Sequence, residues 1–414
     1  MKISQITNDE FNQFVSKFPL YSIYQTPEYA FSMNKENFDS IILGLIDNNN
    51  FLVGATILFI EKKSKYKYAY APRGFLIDYQ NSNLLKTFTR EIKKYTNKLG
   101  IISIKLNPMI VKATYDVKNN IVTKNNYYDI IFNNLKTLGY NHLGYNLFFE
   151  SMKPRHIAII DIAKPYYMIF NNFNKEVRTK IRSASKRGVT VYKGNKENLE
   201  YLYLHTKNKY PRDLKYFENL YEYFSKKNKI EFFYTKINTS EYLKFIQEEY
   251  NKQNEISLDL LNKINIDIKN REKYITEKIK QDRLLNDKKQ ELIKATELLR
   301  LYPDGIVSSS ILVIKEKGQI TMVMDGYDKK FKSFNSKHLL IWKLCEKYSN
   351  EGYSTFNLGG VTSILSKDNK YKGLNSFKLG FGSTLVEYIG DLELITNHTL
   401  HFLDKSPIPN ILKK

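Results

Sequence analysis

An uninterrupted helical pattern from Ser240 to Arg300 constrains this chain more than any other feature of its sequence. These residues include neither proline nor glycine, and their apolar residues recur at steps of three and four with charges of both signs between them. That pattern is typical of helices that share one narrow apolar seam, as in a coiled coil. Because a single apolar stripe needs a partner helix, we expect an antiparallel arm: a helix from about Glu241 to Ile268, a polar turn near Asn270 and a return helix from about Lys273 to Arg300.

The sequence around this arm repeats a unit found earlier in the chain. Residues 307–360 match residues 53–108 in the order of their strand and helix patterns. In the first copy a short turn joins the first two predicted strands, whereas in the second copy the matching strands, Ile230–Ile237 and Ile306–Ile314, are separated by the whole arm. We therefore predict that these two strands are neighbours and that the arm is an elongated hairpin turn.

These patterns predict an α/β fold with mixed sheets, in which one sheet-and-helix unit is used twice. We place a first domain at residues 1–153 and a second domain at residues 154–239 together with 305–395. The arm then occupies residues 240–304, and residues 396–414 form a C-terminal tail.

Positive charge is in excess outside the arm. The chain has 65 Lys and Arg and 43 Asp and Glu, which gives a formal net charge of +22. From Glu241 to Arg300 the charges nearly balance, with 13 basic and 12 acidic residues. A basic body favours a polyanionic partner: RNA, a phosphorylated lipid carrier or the anionic inner leaflet of a membrane. The alternative is that an AT-rich genome has enriched the chain in Lys, Asn, Ile and Tyr.

Several kinds of site are excluded by what the sequence lacks. The single cysteine, Cys345, excludes a disulfide within the chain and lies in an apolar helix pattern, so we expect it in the core. The six histidines lack the spacing of metal ligands, and no P-loop, serine-hydrolase or zinc-protease motif occurs. An enzyme with this sequence would use no metal, no cofactor and no covalent intermediate, so its substrate must arrive activated. No window approaches the roughly 18 apolar residues of a membrane span, which predicts a cytoplasmic protein that touches a membrane only from its surface.

An ordered set of motifs runs from about Gln25 to Glu393. In chain order they are YAPRGFLIDY, KEVRTKIRSASKRGV, PRDLKYF, the long helical hairpin, MDGYDKKFKSFN, FNLGGV and GLNSFKLGFGSTLVEYIGDLE. Together they resemble the Fem family of aminoacyltransferases, which builds the interpeptide branches of peptidoglycan in low-GC Gram-positive bacteria. The resemblance implies two GNAT-like domains, with the helical hairpin projecting from the second.

The resemblance also implies a reaction. An amino acid would pass from an aminoacyl-tRNA to the stem peptide of lipid II or of UDP-MurNAc-pentapeptide. Because an aminoacyl ester is already activated, attack by a neutral amine requires only that the reactants be held together with a cation or donor near the developing oxyanion. Both substrates carry phosphates, and a basic body suits them.

The same resemblance implies roles for individual residues. Lys332 is expected to stabilise the oxyanion or the terminal ribose of the tRNA, and Phe331 to shape that pocket. Arg212 and Tyr216 match an Arg-x-x-x-Tyr pattern expected to bind the acceptor diphosphate, because the arginine fork binds phosphate oxygens bidentately. The alternatives are one more solvated lysine at residue 332 and a structural arginine at a helix start.

Other candidate substrate-binding residues are Arg73, Phe377 and Lys378. Arg73 has the alternative of a structural turn residue, and the other two match a late Phe-Lys motif that lines the same cleft in similar enzymes. A basic helix from about Asn174 to Arg187 is predicted to form a tRNA or phosphate surface, with a merely solubilising face as the alternative. Its cations are Arg178, Lys180, Arg182, Lys186 and Arg187.

The chain departs from the family pattern at two positions. The family usually has a phosphate-binding lysine eight positions after Gln25, where this chain has Met33, with Lys35 two positions further on. Either the helix is offset or that contact is lost. The family also usually has Asp-Pro where this chain has Asn107 before a proline. An asparagine cannot act as a general base, so no carboxylate base is expected there.

Two other functions stay open at this point. An immunity-type member of the same family would alter the cross-bridge against a cell-wall endopeptidase, with the same fold and sites. A noncatalytic protein could instead bind RNA or a partner protein through the arm. Which amino acid is transferred does not follow from the residues.

Overall fold

The computed structural model describes residues 1–19, 22–36, 38–61, 66–146, 148–150, 152–209, 212–362 and 369–405. The start of the PRDLKYF motif and the predicted tail beyond residue 405 lie outside these ranges. Strands and helices are numbered along the chain.

The structure contains two mixed β-sheets. In spatial order the first sheet contains β1 (Lys2–Gln5), β2 (Phe38–Ile46), β3 (Leu52–Glu61), β4 (Lys67–Ala71), β5 (Ile101–Leu106), β16 (Leu392–Ile395) and β8 (Tyr140–His142). The second contains β10 (Val189–Gly194), β11 (Ile230–Ile237), β12 (Ile306–Glu316), β13 (Gln319–Tyr327), β14 (Thr355–Val361), β9 (His156–Asp161), β15 (Thr384–Tyr388), β6 (Val111–Tyr115) and β7 (Ile121–Lys124).

Helices cover the faces of both sheets. They are α1 (Asn8–Lys17), α2 (Pro27–Asn34), α3 (Ser82–Lys98), α4 (Tyr128–Thr137), α5 (Tyr166–Asn172), α6 (Lys175–Lys186), α7 (Leu199–Thr206), α8 (Leu214–Ser225), α9 (Thr239–Ile266), α10 (Arg271–Leu301), α11 (Ser336–Asn350), α12 (Lys372–Leu379) and α13 (His398–Lys405). Short 3₁₀ helices span Ile268–Asn270 and Lys329–Phe334.

The predicted arm is confirmed as a pair of long helices, α9 and α10. Its first helix starts because the Asn238 side chain accepts the backbone N–H groups of Ser240 and Glu241. At its base, β11 and β12 pair antiparallel from Ile230 with Ile314 to Ile237 with Ile306. The prediction that the arm is an elongated hairpin turn between neighbouring strands is therefore also confirmed.

The sheets exchange strands across the middle of the chain. β16, which follows the second sheet's strands in sequence, inserts between β5 and β8 of the first sheet. In return, β6 and β7 extend the second sheet beyond β15. The predicted domain limits remain a prediction, and strand pairing crosses them at these two places.

A shared hydrophobic core joins the two sheets. Each sheet has its own core, and Cys345 lies in that of the second sheet as expected, fully buried. A third core contains side chains from both sides, among them Phe11 and Ile57 from the first and Phe217 and Leu312 from the second. Because these residues are buried together, the two halves pack as one body rather than as tethered domains.

Candidate functional site

Each of the two sheets contains a parallel pair of strands, and the two pairs end differently. In the first sheet, β4 and β5 pair as far as Ala71 with Leu106, the last residue of each strand. In the second sheet, β13 and β14 pair only over Gln319–Thr321 and Thr355–Asn357, and both strands continue without pairing to each other. We call the first pair of strand ends the closed fork and the second the open fork.

Asn107 holds the closed fork together. It follows β5, is 1% exposed, and its Oδ1 accepts the backbone N–H of Arg73 at 2.9 Å. Arg73 has a φ of 57°, a conformation that few residues other than glycine adopt, and this bond helps to hold it. Its guanidinium donates to the Pro154 carbonyl at 2.7 Å and lies 4.6 Å from the centre of the Tyr388 ring. Asn107 is thus a structural clamp that positions the Arg73 side chain.

Lys378 of α12 lies at the open fork. It is 6% exposed, and its Nζ donates to the carbonyl of Gly360 in β14 at 2.9 Å. The preceding residue, Gly359, has a φ of 76°, and a Cβ there would stand 3.6 Å from the same Nζ. Burial lowers the pKa of Lys378 to about 8; the Asp325 carboxylate opposes this shift and the Lys337 charge adds to it.

Asp325 and Lys337 form an ion pair beside Lys378. Asp325 is on β13 and Lys337 is in the first turn of α11. Although burial opposes it, the charges of Lys337 and Lys378 lower the pKa of the Asp325 carboxyl. The Lys337 ammonium also lies 4.2 Å from the centre of the Phe377 ring. The open fork therefore carries two ammonium groups, one carboxylate and an aromatic wall.

His338 completes this wall. Its ring meets the Phe377 ring edge-on at 5.0 Å and stacks on Phe381 at 6.0 Å. Burial lowers the pKa of His338 to about 4, with the charges of Lys180 and Lys337 acting in the same direction, so the ring is neutral at pH 7. Its Nδ1 is buried and has no hydrogen-bond partner within the described residues.

A second cluster of cations lies where the two sheets meet; we call it the cation junction, and it comprises Arg73, Lys153 and Arg212. Each cation stands over an aromatic ring: Lys153 Nζ is 3.5 Å from the centre of Tyr24, and the Arg212 guanidinium is 4.4 Å from that of Tyr216. In the described parts of the chain, none of the three forms an ion pair with a carboxylate. Burial raises the pKa of Tyr216 to about 12, although the charge of Arg212 opposes this, so its hydroxyl stays neutral.

The cation junction and the open fork are adjacent. Pro154 follows Lys153 and accepts from Arg73, and a Cβ added to Gly360 would stand only 2.4 Å from Pro154 Cγ. Gly360 in turn accepts from Lys378. The Pro154 ring thus packs against Gly360, which makes the two clusters neighbours in the fold.

Phe331 and Lys332 lie on the short helix Lys329–Phe334, which joins β13 to α11. Phe331 is partly buried, with its ring 6.1 Å from that of Tyr302 at the base of the arm. Lys332 is exposed. Its ammonium forms no ion pair among the residues that the structure describes. The structure thus leaves Lys332 free to reach a bound molecule but does not join it to the Lys378 cluster.

The predicted basic surface on α6 is partly neutralised within the chain. Lys180 pairs with Glu176 at 2.5 Å, and Arg187 pairs with Glu291 of the arm at 2.6 Å. Arg178 donates to the Asn171 carbonyl at 2.7 Å. The Arg182 guanidinium lies 5.4 Å from the centre of the Phe170 ring, and Lys186 is exposed.

Met33 and Lys35 lie at the end of α2. Met33 is buried in the core shared by the two sheets, and Lys35 is exposed just after the helix. Neither residue contributes to the cation junction among the described contacts. The structure offers Lys153 in this region instead.

Sequence reasoning missed Lys153, Asp325 and Lys337. Lys153 stands just before a proline in a loop with no periodic pattern. Asp325 lies in the MDGYDKKFKSFN motif, where no role was predicted for it, and Lys337 lies two residues beyond the end of that motif. The one available signal was the alignment of the two copies, which sets Asp325 against Ala71, a buried apolar residue. A carboxylate where the other copy has an alanine points to chemistry rather than packing.

The described residues also bear on metal binding and on membrane crossing. They contain no group of three or more His, Cys, Asp or Glu side chains placed to hold a metal ion. Among the helices of those same residues, none combines the length and the apolar character that crossing a bilayer demands.

Comparison with known proteins links this geometry to a family. The family model described as FemAB family matches residues 6–405. Lipid II:glycine glycyltransferase of Staphylococcus aureus (strain USA300) is 25% identical over 430 residues, which cover 100% of this chain and 97% of that protein.

Two solved structures are similar to this chain in fold. The crystal structure of FemX superposes with a TM-score of 0.73 at 24% identity, over 98% of this chain and 100% of that one. A tandem GNAT protein from the clavulanic acid biosynthesis pathway superposes with a TM-score of 0.50 at 7% identity, over 96% and 98% of the two chains. The expected fold class, two GNAT-like units with mixed sheets and a long helical arm, is confirmed.

Proposed function

This chain belongs to the FemAB family, and from that premise we propose that it is an aminoacyltransferase that adds an amino acid to the stem peptide of lipid II or of UDP-MurNAc-pentapeptide. The donor in this proposal is an aminoacyl-tRNA. The protein works in the cytoplasm, against the inner face of the membrane that carries lipid II. The name of the glycyltransferase relative supports the lipid II acceptor.

The observation that carries this proposal is the contact between the cation junction and the open fork. An acceptor precursor has a diphosphate at one end and an amine on its peptide. Arg212, with Tyr216 beneath it, and Arg73 would bind the diphosphate, because guanidinium groups donate two parallel hydrogen bonds to phosphate oxygens. The peptide would then extend past Gly360 to the open fork, where Phe377 and Lys378 would hold the acyl ester.

The reaction needs no redox partner. The acceptor amine nitrogen bonds to the ester carbonyl carbon, the carbon–oxygen bond to the tRNA ribose breaks, and the ribose hydroxyl leaves with the proton that the amine gives up. Negative charge collects on the carbonyl oxygen in between. Lys332, exposed beside Phe331, would stabilise that oxygen, and a preorganised cation of this kind contributes about 3 to 4 kcal/mol to lowering the barrier.

The tRNA would lie along α6, near the fork. Arg182 and Lys186 are the cations best placed to meet phosphate, because Lys180 and Arg187 already pair with carboxylates. Arg178 would keep the end of α5 in position through its bond to the Asn171 carbonyl. Lys35 would act only at the rim, since it is exposed at the end of α2.

Transfer can be tested with purified protein, lipid II and tRNAs charged with different amino acids. The expected result is a product heavier by one aminoacyl residue with at least one tRNA, detected by mass spectrometry. Lys332→Ala should lower the rate while leaving lipid II binding intact, and Lys330→Ala, two residues away on the same short helix, serves as the matched control. No aminoacyl increment with any charged tRNA would defeat the enzyme proposal and favour a binding protein.

A further inference from the structure

The three cations of the junction are held in place by aromatic rings and not by carboxylates. Arg73 lies over Tyr388, Lys153 over Tyr24 and Arg212 over Tyr216. A cation on an aromatic face keeps its net charge and its N–H donors for another partner, whereas a cation paired with a carboxylate does not. Elsewhere on the described chain many lysines do have carboxylate partners, as Lys227 has in Glu28 at 2.7 Å. The junction therefore concentrates unmatched positive charge.

A buried hydroxyl beside these cations also lacks a partner. The Tyr70 Oη is buried and makes no hydrogen bond within the described residues. Burial raises the pKa of Tyr70, and the charge of neighbouring Arg73 opposes that shift. An unsatisfied buried hydroxyl destabilises the free protein, and a bound oxygen anion would accept its hydrogen bond. A buried donor without an acceptor beside Arg73, in the same region as Lys153 and Arg212, indicates an anion site.

We propose that Lys153 and Tyr70 complete a diphosphate site between Arg73 and Arg212, and that Lys153 takes up a proton as the diphosphate binds. This inference rests on the proposed function for the identity of the acceptor. A diphosphate fits better than a tRNA backbone because the three cations are close enough for the charges of Arg73 and Arg212 to act on Lys153, whereas the α6 cations spread along an exposed helix.

Proton uptake follows from the surroundings of Lys153. Burial, with the nearby charges of Arg73 and Arg212, lowers the pKa of Lys153 to about 7. Burial also raises the pKa of the phenols around it, Tyr24, Tyr29, Tyr70 and Tyr388, so they do not titrate near neutrality. Of the carboxylates on the segments packed here, Glu28 pairs with Lys227, Glu150 pairs with Arg155 at 3.0 Å, and Asp391 accepts the Met152 N–H at 3.4 Å. Glu36, just after α2, is near Tyr216, whose pKa its charge helps to raise. Lys153 is therefore the group that gains a proton when negative charge arrives.

Calorimetric titration with UDP-MurNAc-pentapeptide tests the site, because its diphosphate, substituted at both ends, does not titrate between pH 6 and 9. Wild-type affinity should fall about tenfold from pH 6 to pH 9, the equivalent of one pKa unit between free and bound Lys153. Lys153→Arg should bind within about twofold of the pH 6 value throughout, since arginine stays charged. Lys153→Met should stay near the wild-type pH 9 value, and Tyr70→Phe should lose about threefold to tenfold.

The free stem pentapeptide and Lys86→Met, which replaces an exposed lysine on α3, are the controls. Lys153→Met should not change binding of the pentapeptide, and Lys86→Met should behave as wild type. Lipid II in micelles tests whether the site also takes a diphosphate that is linked to a lipid. If it does, the affinity for lipid II must show the same pH dependence as the affinity for UDP-MurNAc-pentapeptide. Equal pH dependence in wild type and Lys153→Arg would overturn the proposal, as would equal loss of pentapeptide binding or a stronger effect on tRNA binding. All of these are binding measurements, so failure of aminoacyl transfer would count against the proposed function and not against this site.

Discussion

The closed and open forks show how one strand arrangement serves two purposes in the same molecule. In the closed fork the strands pair to their ends, and Asn107 joins the end of one strand to the turn after the other. In the open fork pairing stops after three residue pairs, and Lys378 occupies the place where the strands separate. A buried amide closes the first and a buried ammonium lines the second. The two copies thus differ in what lies between the strand ends: an amide that closes the first fork and an ammonium group where the second stays open.

The largest expected effect concerns Lys378 in the open fork. Lys378→Met should reduce aminoacyl transfer by about 100-fold or more, the range seen when a catalytic cation or proton-transfer group is removed. Its pKa of about 8 lies below the usual lysine value, so charge at this position is disfavoured in the folded state at pH 7. Methionine at this position would remove that disfavoured charge and would also remove the hydrogen bond to the Gly360 carbonyl. Because these two effects oppose each other, the unfolding temperature of the variant at pH 7 should stay close to that of the wild type.

Rate measurements with lipid II and thermal unfolding check this prediction together. Lys372→Met, an exposed position at the start of the same helix, provides the control. A variant that lost stability along with activity would indicate that Lys378 is structural, and a variant with full activity would remove the open fork from the chemistry.

The second prediction concerns the contact between the cation junction and the open fork. Gly360→Ala places a Cβ 2.4 Å from Pro154 Cγ, so the backbone must shift, at a cost of about 1 to 3 kcal/mol in unfolding free energy. Because Pro154 anchors Arg73, diphosphate binding should weaken as well. Gly373→Ala on α12 has no atom within 4 Å of its added Cβ and is the control. Chemical denaturation measures the first effect, and unchanged stability would show that the contact is loose.

The third prediction concerns Asn107→Asp in the closed fork. An aspartate can still accept the Arg73 N–H, but it brings a carboxylate to a group of cations that has none. Affinity for UDP-MurNAc-pentapeptide should fall about tenfold, because the added charge competes with the diphosphate for the junction. The exposed Asn133→Asp on α4 is the control. If calorimetry finds binding unchanged or tighter, the clamp lies too far from the anion to matter.

The smallest effect concerns His338 in the open fork. Its pKa of about 4 lies below the usual histidine value, so its stabilising contribution is complete above about pH 6.5 and is lost as the pH falls toward 4. His338→Gln should reduce the acid-induced loss of unfolding free energy by about 1 kcal/mol. Denaturation at pH 7 and at pH 4 gives the difference, and parallel losses in variant and wild type would contradict the assignment.

These tests also mark how far the sequence could be interpreted. The arm followed from local periodicity, and the neighbouring strands at its base followed from comparing the two copies, because both signals lie in continuous runs of residues. The residue at which two strands stop pairing depends on contacts between distant segments. The open fork therefore could not be predicted from the sequence. The exchange of β16 for β6 and β7 is hidden for the same reason.

The candidate site was also predictable from the sequence only in part. Phe377 and Lys378 were predicted together from one motif, and the structure places them with Asp325 and Lys337, which are 40 or more residues earlier in the chain. Lys153 needed the folded chain to reveal it, since only packing brings it to Tyr24 and toward Arg73 and Arg212. Met33 illustrates the reverse case, because the position at which the family usually has a phosphate-binding lysine is part of the shared core in this chain.

The exchange of β16 also affects the order in which the chain can fold during translation. The first sheet has a gap between β5 and β8 that only Leu392–Ile395 fills. A ribosome makes roughly 5 to 20 residues per second, so about 250 residues separate β8 from its partner by some ten seconds or more of synthesis. Through that interval the edges of β5 and β8 remain unpaired on the nascent chain. A chaperone that binds the chain as it emerges would therefore protect these two edges until β16 is made.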